Sequence, residues 1–244
     1  MFDIIENIDV NDLEWKNKIF LTFDIDWASD EVLEYTLDII EKNNLKATVF
    51  VTHDTVLLDR MKSNKNIELG IHPNFNPLVN GDFRYGKNLK EVLEYYLNFV
   101  PNAKSVRSHD LKQKTELLKL FSEYGLTYDC NIYLPHNSGI INKPFKHFDN
   151  KLLRVPHFWE DDIHCLYEDS WIIDDYLKYD GIKVFDFHPI HIFLNTENLN
   201  RYENSREWHR EHALLQEHKN VNHIGVEGFL YDIIRRVNEH SNNR

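Results

Sequence analysis

Lys18-Ile19-Phe20-Leu21-Thr22-Phe23-Asp24-Ile25-Asp26 is an apolar, β-branched and aromatic run that stops on two carboxylates, and Ser29-Asp30-Glu31 follows it closely. The run reads as a buried strand. Ser29 offers a helix N-cap, and Asp30 and Glu31 fall in the first turn, where carboxylates suit the helix dipole. Val32, Leu33, Thr36, Leu37, Ile39 and Ile40 then recur at helical spacing, which predicts an amphipathic helix to about Asn43. A strand followed by a helix is a βα unit, and the pattern repeats along the chain. Residues 46–51, 66–71, 105–108, 126–132, 152–158 and 182–187 read as further strands. Helices are expected over 55–61, 89–99, 114–124 and 170–179, the last two closed by Gly125 and Gly181. A polar helix near 205–218 and an amphipathic one from about Glu227 complete the reading.

Seven βα-like steps predict an α/β fold on a parallel sheet, either closed as a barrel or doubly wound. No G-x-G-x-x-G follows a strand and no G-x-x-x-x-G-K-[ST] is present, so nucleotide-phosphate folds lose their best support and a barrel is expected. At 244 residues a single domain is expected: an N-terminal extension over 1–17, a βα barrel over 18–195, and C-terminal helices over 196–244 packing on it. With 42% hydrophobic and 28% charged residues the chain is globular rather than disordered or fibrous. Its net charge of −12 argues against nucleic acid or an anionic membrane surface as the main partner. No window approaches the length of a bilayer span. Met1–Asp9 has neither a basic n-region nor an apolar h-region, which predicts a cytoplasmic protein with Cys130 and Cys165 as reduced thiols. Fourteen histidines against two cysteines allow metal or acid–base sites but not thiolate zinc sites.

Polar groups collect where the strands end, and in a βα barrel the loops after the strands carry the chemistry. The first strand ends in Asp24-Ile25-Asp26, whose alternation points both carboxylates the same way. Later strands run out into His72-Pro73-Asn74-Phe75-Asn76-Pro77, Arg107-Ser108-His109, His157-Phe158-Trp159-Glu160-Asp161-Asp162 and Asp186-Phe187-His188-Pro189-Ile190-His191. Each has a plainer reading. An aspartate after a strand is often the cap of the next helix, a role Ser29 and Asp30 already fill. Arg107 can be an internal partner for the rim aspartates, and Glu160-Asp161-Asp162 a solvated helix cap. His209, His212 and His218 are read as a solvated helix face, since no H-E-x-x-H is present. A carboxylate with imidazoles around an open position suits a divalent metal, zinc first. A second carboxylate can then serve as general base and a histidine across the site as general acid, the minimum for metal-assisted hydrolysis of an amide or ester.

These residues, in this order, resemble the polysaccharide deacetylase family (NodB homology, carbohydrate esterase family 4). Thr22-Phe23-Asp24-Ile25-Asp26 looks like a D-x-D variant of its opening motif, and Glu68-Leu69-Gly70-Ile71-His72-Pro73-Asn74-Phe75-Asn76-Pro77 is similar to its G-x-H-[ST]-x-x-H-P motif. Arg107 matches the arginine that orients the base, and Val184-Phe185-Asp186-Phe187-His188 the strand that ends in the general acid. HPNFNP, VRSH, VPHFWEDD and FDFHPIHIFLNT look like the WbmS-like branch found in O-antigen and capsule gene clusters. The resemblance implies a distorted (β/α)7 barrel of NodB type. It implies Asp24 as base held by Arg107, His188 as acid, and Asp26 and His72 as metal ligands. The expected activity is a metal-dependent N-deacetylase acting on an acetamido sugar, carried on a nucleotide or a lipid. Phe75 and Trp159 are expected as sugar-stacking faces, with His109, Glu160, Asp161 and His191 completing the substrate shell. In one place the chain departs from the family: Asn76 stands where the second metal histidine is expected, so His109 or His191 becomes the candidate replacement. Two further readings stay open, a non-catalytic carbohydrate-binding protein on the same scaffold and a hydrolase of another amide bond.

Overall fold

The computed structural model of the chain describes residues 1–149 and 151–242. Its strands are β1 (Phe2–Asp3), β2 (Ile19–Asp24), β3 (Ala47–Val51), β4 (Ile67–Ile71), β5 (Ser105–Val106), β6 (Tyr128–Asp129), β7 (Phe145–Lys146), β8 (Leu153–Arg154), β9 (Trp159–Glu160) and β10 (Lys183–Phe187). They form one sheet in the order β7-β8-β6-β5-β4-β3-β2-β10-β9, with β1 paired on β2, and every pairing but β7–β8 is parallel. The segment 153–160 joins the two ends of this path. Its first half pairs with β6, His157 bridges to Tyr133, and its second half pairs with β10. The sheet therefore curls into the distorted (β/α)7 barrel expected from the sequence.

Alternation along β2 sorts its side chains. Ile19, Leu21 and Phe23 face the helices, while Phe20, Thr22 and Asp24 face the barrel interior. The interior is layered as a result. Phe20, Phe50, Cys130, Leu153, Val155 and Val184 pack in one interior cluster with Ile5, Ile8 and Trp15 of the N-terminal segment, which plugs the barrel from the side where β2 begins. The Ile5 N–H donates to Thr48 Oγ1 (3.0 Å) and the Glu6 N–H to Glu68 Oε2 (3.0 Å), so the plug is tied to β3 and β4. Toward the carboxyl ends the interior becomes polar, and there the site lies.

The first helix, Asp30–Lys42, begins as predicted: Ser29 Oγ accepts from the Val32 N–H, and Val32, Leu33, Thr36, Leu37, Ile39 and Ile40 are its buried face. Gly125 takes a positive φ of 79° after helix Thr115–Glu123, the left-handed end that glycine accommodates without strain. Three expectations are corrected. The strand expected over 152–158 is broken into β8 and β9, because Pro156 has no N–H to give to a ladder. The helix expected over 170–179 shortens to Ile173–Leu177. The helix expected over 205–218 is a series of short turns, since Ser205 Oγ donates to the Tyr202 carbonyl and competes with continued winding. Helices Asp161–Tyr167 and Pro189–Leu194 were not anticipated as separate elements. Both cysteines are free and buried, and no helix among the described residues is long and apolar enough to cross a membrane.

Two features of the packing can be measured. Gly70, on the inner face of β4, leaves no room for a side chain: a Cβ there would lie 2.7 Å from the Phe50 ring and 2.8 Å from the Ser105 carbonyl oxygen. Gly70→Ala should cost about 1–3 kcal/mol in urea unfolding, and an unchanged midpoint would refute the tight contact. His164 sits among Trp159, Trp171, Tyr176 and Phe229, its Nδ1 accepting from Trp159 Nε1 (3.1 Å). Burial pushes its pKa from 6.5 down to about 4. Below pH 6.5 the unfolded chain takes a proton that the fold refuses, so this contribution is full above pH 6.5 and lost toward pH 4. The stability gap between wild type and His164→Gln should therefore shrink as pH falls from 6.5 to 4; a constant gap would contradict the assignment.

Candidate active site

Asp24, the last residue of β2, is buried and held from two sides. Its Oδ1 accepts from Arg107 Nη1 at 2.8 Å, and its Oδ2 lies 3.2 Å from His72 Nδ1. Beyond it the backbone leaves the strand in two consecutive positive φ values, 28° at Asp26 and 53° at Trp27, the latter a rare conformation for a bulky side chain. The Trp27 N–H donates to Thr52 Oγ1 (3.1 Å), which fixes the turn. This bend swings the Asp26 carboxylate over the barrel mouth, with Oδ1 3.2 Å from His72 Nε2 and 3.5 Å from His109 Nδ1. His72 Nε2 and His109 Nδ1 are themselves 3.4 Å apart. Burial works against the charge of Asp26, yet the neighbouring His109 and His72 imidazoles hold its carboxyl well below the usual carboxylate range. The same contact raises His109 against the effect of its own burial.

Arg107 is wholly buried inside the barrel. It bonds Asp24, Asp186 and, at 3.0 Å, Thr22 Oγ1, and its guanidinium lies 4.6 Å from the centre of the Phe50 ring. Burial and the nearby Asp24 push Asp186 well above the usual carboxylate range despite Arg107.

His188 follows β10 on the opposite side of the mouth, and Nε2 lies 3.7 Å from Asp26 Oδ2. Both oxygens of Asp161 serve it, one accepting from its backbone N–H (2.7 Å) and one meeting Nδ1 (2.7 Å). Burial disfavours the imidazolium, but Asp161 more than offsets this and raises His188 well above an ordinary histidine. Its Nε2 is turned toward the site. A second buried group lies beneath it: His157 Nε2 is 3.2 Å from Glu160 Oε2, and both are close to Asp186. Burial holds His157 neutral and raises Glu160.

A cleft of about 510 Å³ opens over these groups, with Asp26, His109 and His188 at its floor and Trp27, Tyr202 and His209 among its walls. His191 lines it too, its Nδ1 meeting Thr196 Oγ1 at 3.1 Å and its ring packed on Tyr202 at 4.9 Å. The structure brings together Asp24, Asp26, His72, Arg107, His109 and His188. Asn76 Nδ2 donates to the Asp110 carboxylate. Four residues expected at the substrate are corrected. Phe75 is 1% and Trp159 2% exposed, both packed in the outer core with no face free for a sugar ring. Glu160 points to His157, and Asp161 is fully buried against His188. Trp27, Tyr202 and His209 were missed as cleft residues. Trp27 could have been suspected from its place beside Asp26; Tyr202 and His209 reach the site only through the broken course of the C-terminal turns.

The residues present fit a divalent ion. Asp26, His72 and His109 each turn a ligand atom into one space, all within 4.8 Å of one another, and Asp26 Oδ1 is buried without a hydrogen-bond donor. A carboxylate and two imidazoles are a zinc-type donor set that leaves a position open.

Comparison with known proteins places the chain in a family. No curated protein sequence matches the chain. A protein from Bordetella bronchiseptica, WbmS, described as a polysaccharide deacetylase involved in O-antigen biosynthesis, has a crystal structure that superposes with a TM-score of 0.90 at 47% identity. The match covers 96% of this chain and 97% of that one. A family 4 carbohydrate esterase from Streptomyces lividans in complex with acetate superposes at a TM-score of 0.45 and 14% identity, over 70% of this chain and 78% of that one. A polysaccharide deacetylase from Mycobacterium smegmatis gives 0.48 and 16%, over 91% of each. The WbmS-like polysaccharide deacetylase family model matches residues 21–206, most of the chain. With that match and a relative 47% identical over nearly its full length, the chain belongs to the WbmS-like polysaccharide deacetylase family.

Proposed function

We propose that this deacetylase is a metal-dependent N-deacetylase that releases acetate from an acetamido sugar carried on a nucleotide or lipid, acting in the cytoplasm during surface-polysaccharide assembly. The observation that carries the reading is the convergence of Asp26, His72 and His109 at the mouth of the barrel, with a carboxylate held by Arg107 on one side and an imidazole held by Asp161 on the other. The pathway is supported by the 47% identical relative described as acting in O-antigen biosynthesis. A cleft of about 510 Å³ is in the range that encloses a small ligand.

Asp26, His72 and His109 would hold the ion. When bound, a divalent metal such as zinc lowers the pKa of water and polarises the amide carbonyl. Asp24 is the general base. Arg107 holds its Oδ1, and Oδ2, which lies 3.2 Å from His72 Nδ1, takes the proton of the attacking water. His188, fixed and charged by Asp161, donates the Nε2 proton to the sugar nitrogen as the C–N bond breaks. Water and amide become acetate and a free amino sugar. Tyr202 and Trp27 offer the aromatic faces that Phe75 and Trp159 do not.

Acetate release from a panel of acetamido sugars tests the reading directly. Asp24→Asn and His188→Ala should each lower kcat by about 10²–10⁴-fold while circular dichroism stays that of wild type; wild-type turnover in either removes that residue from the mechanism. Dialysis against a chelator should abolish acetate release, and added zinc or another divalent ion should restore it. Full activity in protein shown to be metal-free by elemental analysis would refute the metal requirement.

A further inference from the structure

Asn76 is where the chain departs from the pattern of its wider family, and the structure gives it a partner. It opens the short helix Asn76–Val79, and its Nδ2 donates to the Asp110 carboxylate. A carboxylate only accepts, so the atom facing Asp110 is the amide nitrogen. Asp110 directly follows His109, in a left-handed turn shared with Leu111 (φ 55° and 49°). One Asp110 oxygen takes the Asn76 bond, and the other lies 3.8 Å from His109 Nε2. The opposite ring nitrogen, Nδ1, faces Asp26 and His72 at 3.5 and 3.4 Å. Side chains thus connect the loop after β4 to the donor group through Asp110 and His109. The same two loops are joined by the backbone, where the His109 N–H donates to the Pro73 carbonyl at 3.1 Å, and Trp27 packs edge-on against the His109 ring at 5.1 Å.

We propose that Asn76 is a positioning residue and not a ligand: its amide holds the Asp110 carboxylate beside His109 Nε2, close enough at 3.8 Å for its charge to favour the ring as a donor, and His109 supplies the third protein ligand. This rests on the metal-binding reading above. A carboxylate behind a ligating histidine fixes its tautomer and strengthens it as a donor, and loss of such a partner typically weakens metal binding 10–100-fold. An amide oxygen at Asn76 would be a poorer zinc ligand than imidazole, and the Asn76 amide is engaged with Asp110. The chain therefore keeps a carboxylate and two imidazoles, but draws the second imidazole from the end of β5 instead of the loop after β4.

Zinc affinity of the purified full chain, measured by competition with a chromophoric chelator, tests this without reference to activity. Asn76→Ala should weaken binding about tenfold. Asn76→Asp sets two carboxylates against each other and should weaken it at least as much, although aspartate is the better metal ligand. The double variant Asn76→Asp/Asp110→Asn reverses the donor and acceptor and should recover affinity to within a few-fold of wild type, with the wild-type cobalt absorption spectrum. His109→Ala should lose more affinity than any of these and change that spectrum. If Asn76→Asp binds zinc as tightly as wild type or more tightly, Asn76 is itself a ligand and the proposal fails. Unchanged affinity in His109→Ala overturns it equally. Wild-type protein that binds no divalent ion refutes the metal reading and this one with it, whereas wild-type binding that is indifferent to position 76 refutes this one alone.

Discussion

A guanidinium sealed inside a barrel is the constraint around which the rest of this molecule is arranged. Arg107 is fully buried, and an uncompensated charge there would cost far more than a domain's whole stability. Compensation comes from nearly every side: Asp24 and Thr22 from β2, Asp186 from β10, the Cys130 carbonyl after β6 and the Phe50 ring from β3. Each of those staves must hold its register for the charge to be met. Asp24 meets Arg107 at 2.8 Å and Asp186 bonds the same guanidinium nitrogen, so the two carboxyl groups share one cation. The barrel thereby presents a carboxyl group, fixed by that guanidinium, just beneath its mouth.

The interior divides in two because of this. One end is apolar and is filled by residues the barrel does not supply itself, Ile5, Ile8 and Trp15. The other end is polar and is completed by the loops. An apolar plug below and an ion pair in the middle leave only the upper layer free to rearrange around a ligand. That layer holds Asp26, His72, His109 and His188.

Much of this was readable in the sequence, and the failures have identifiable causes. The alternation Phe20-Thr22-Asp24 against Ile19-Leu21-Phe23 announces a strand with one face inward, and the strand-end polar residues announce the mouth. Asp161 was legible as a carboxylate near the site but not as the partner of His188, because that pairing depends on helix Asp161–Tyr167 crossing to β10. Phe75 and Trp159 show the same limit. An aromatic beside a catalytic motif can face either side of a strand or loop, and here both face the helices. The walls of the cleft were hidden for a different reason. Tyr202 and His209 belong to turns whose course is set by local side-chain bonds rather than by any hydrophobic period.

The break at Pro156 bears on how the protein becomes active at all. The donor residues Asp26, His72 and His109 come from β2, β4 and β5, strands laid down early in the chain and joined by short-range pairings. Asp161 and His188 belong to the late segments that seal the ring, and the β10–β2 ladder joins residues more than 160 positions apart in sequence. Loop closure over such a span is slow compared with local pairing. The side of the mouth that faces Asp26, His72 and His109 is therefore complete only once the β10–β2 seam has closed, since Asp161 and His188 stand on its late flank.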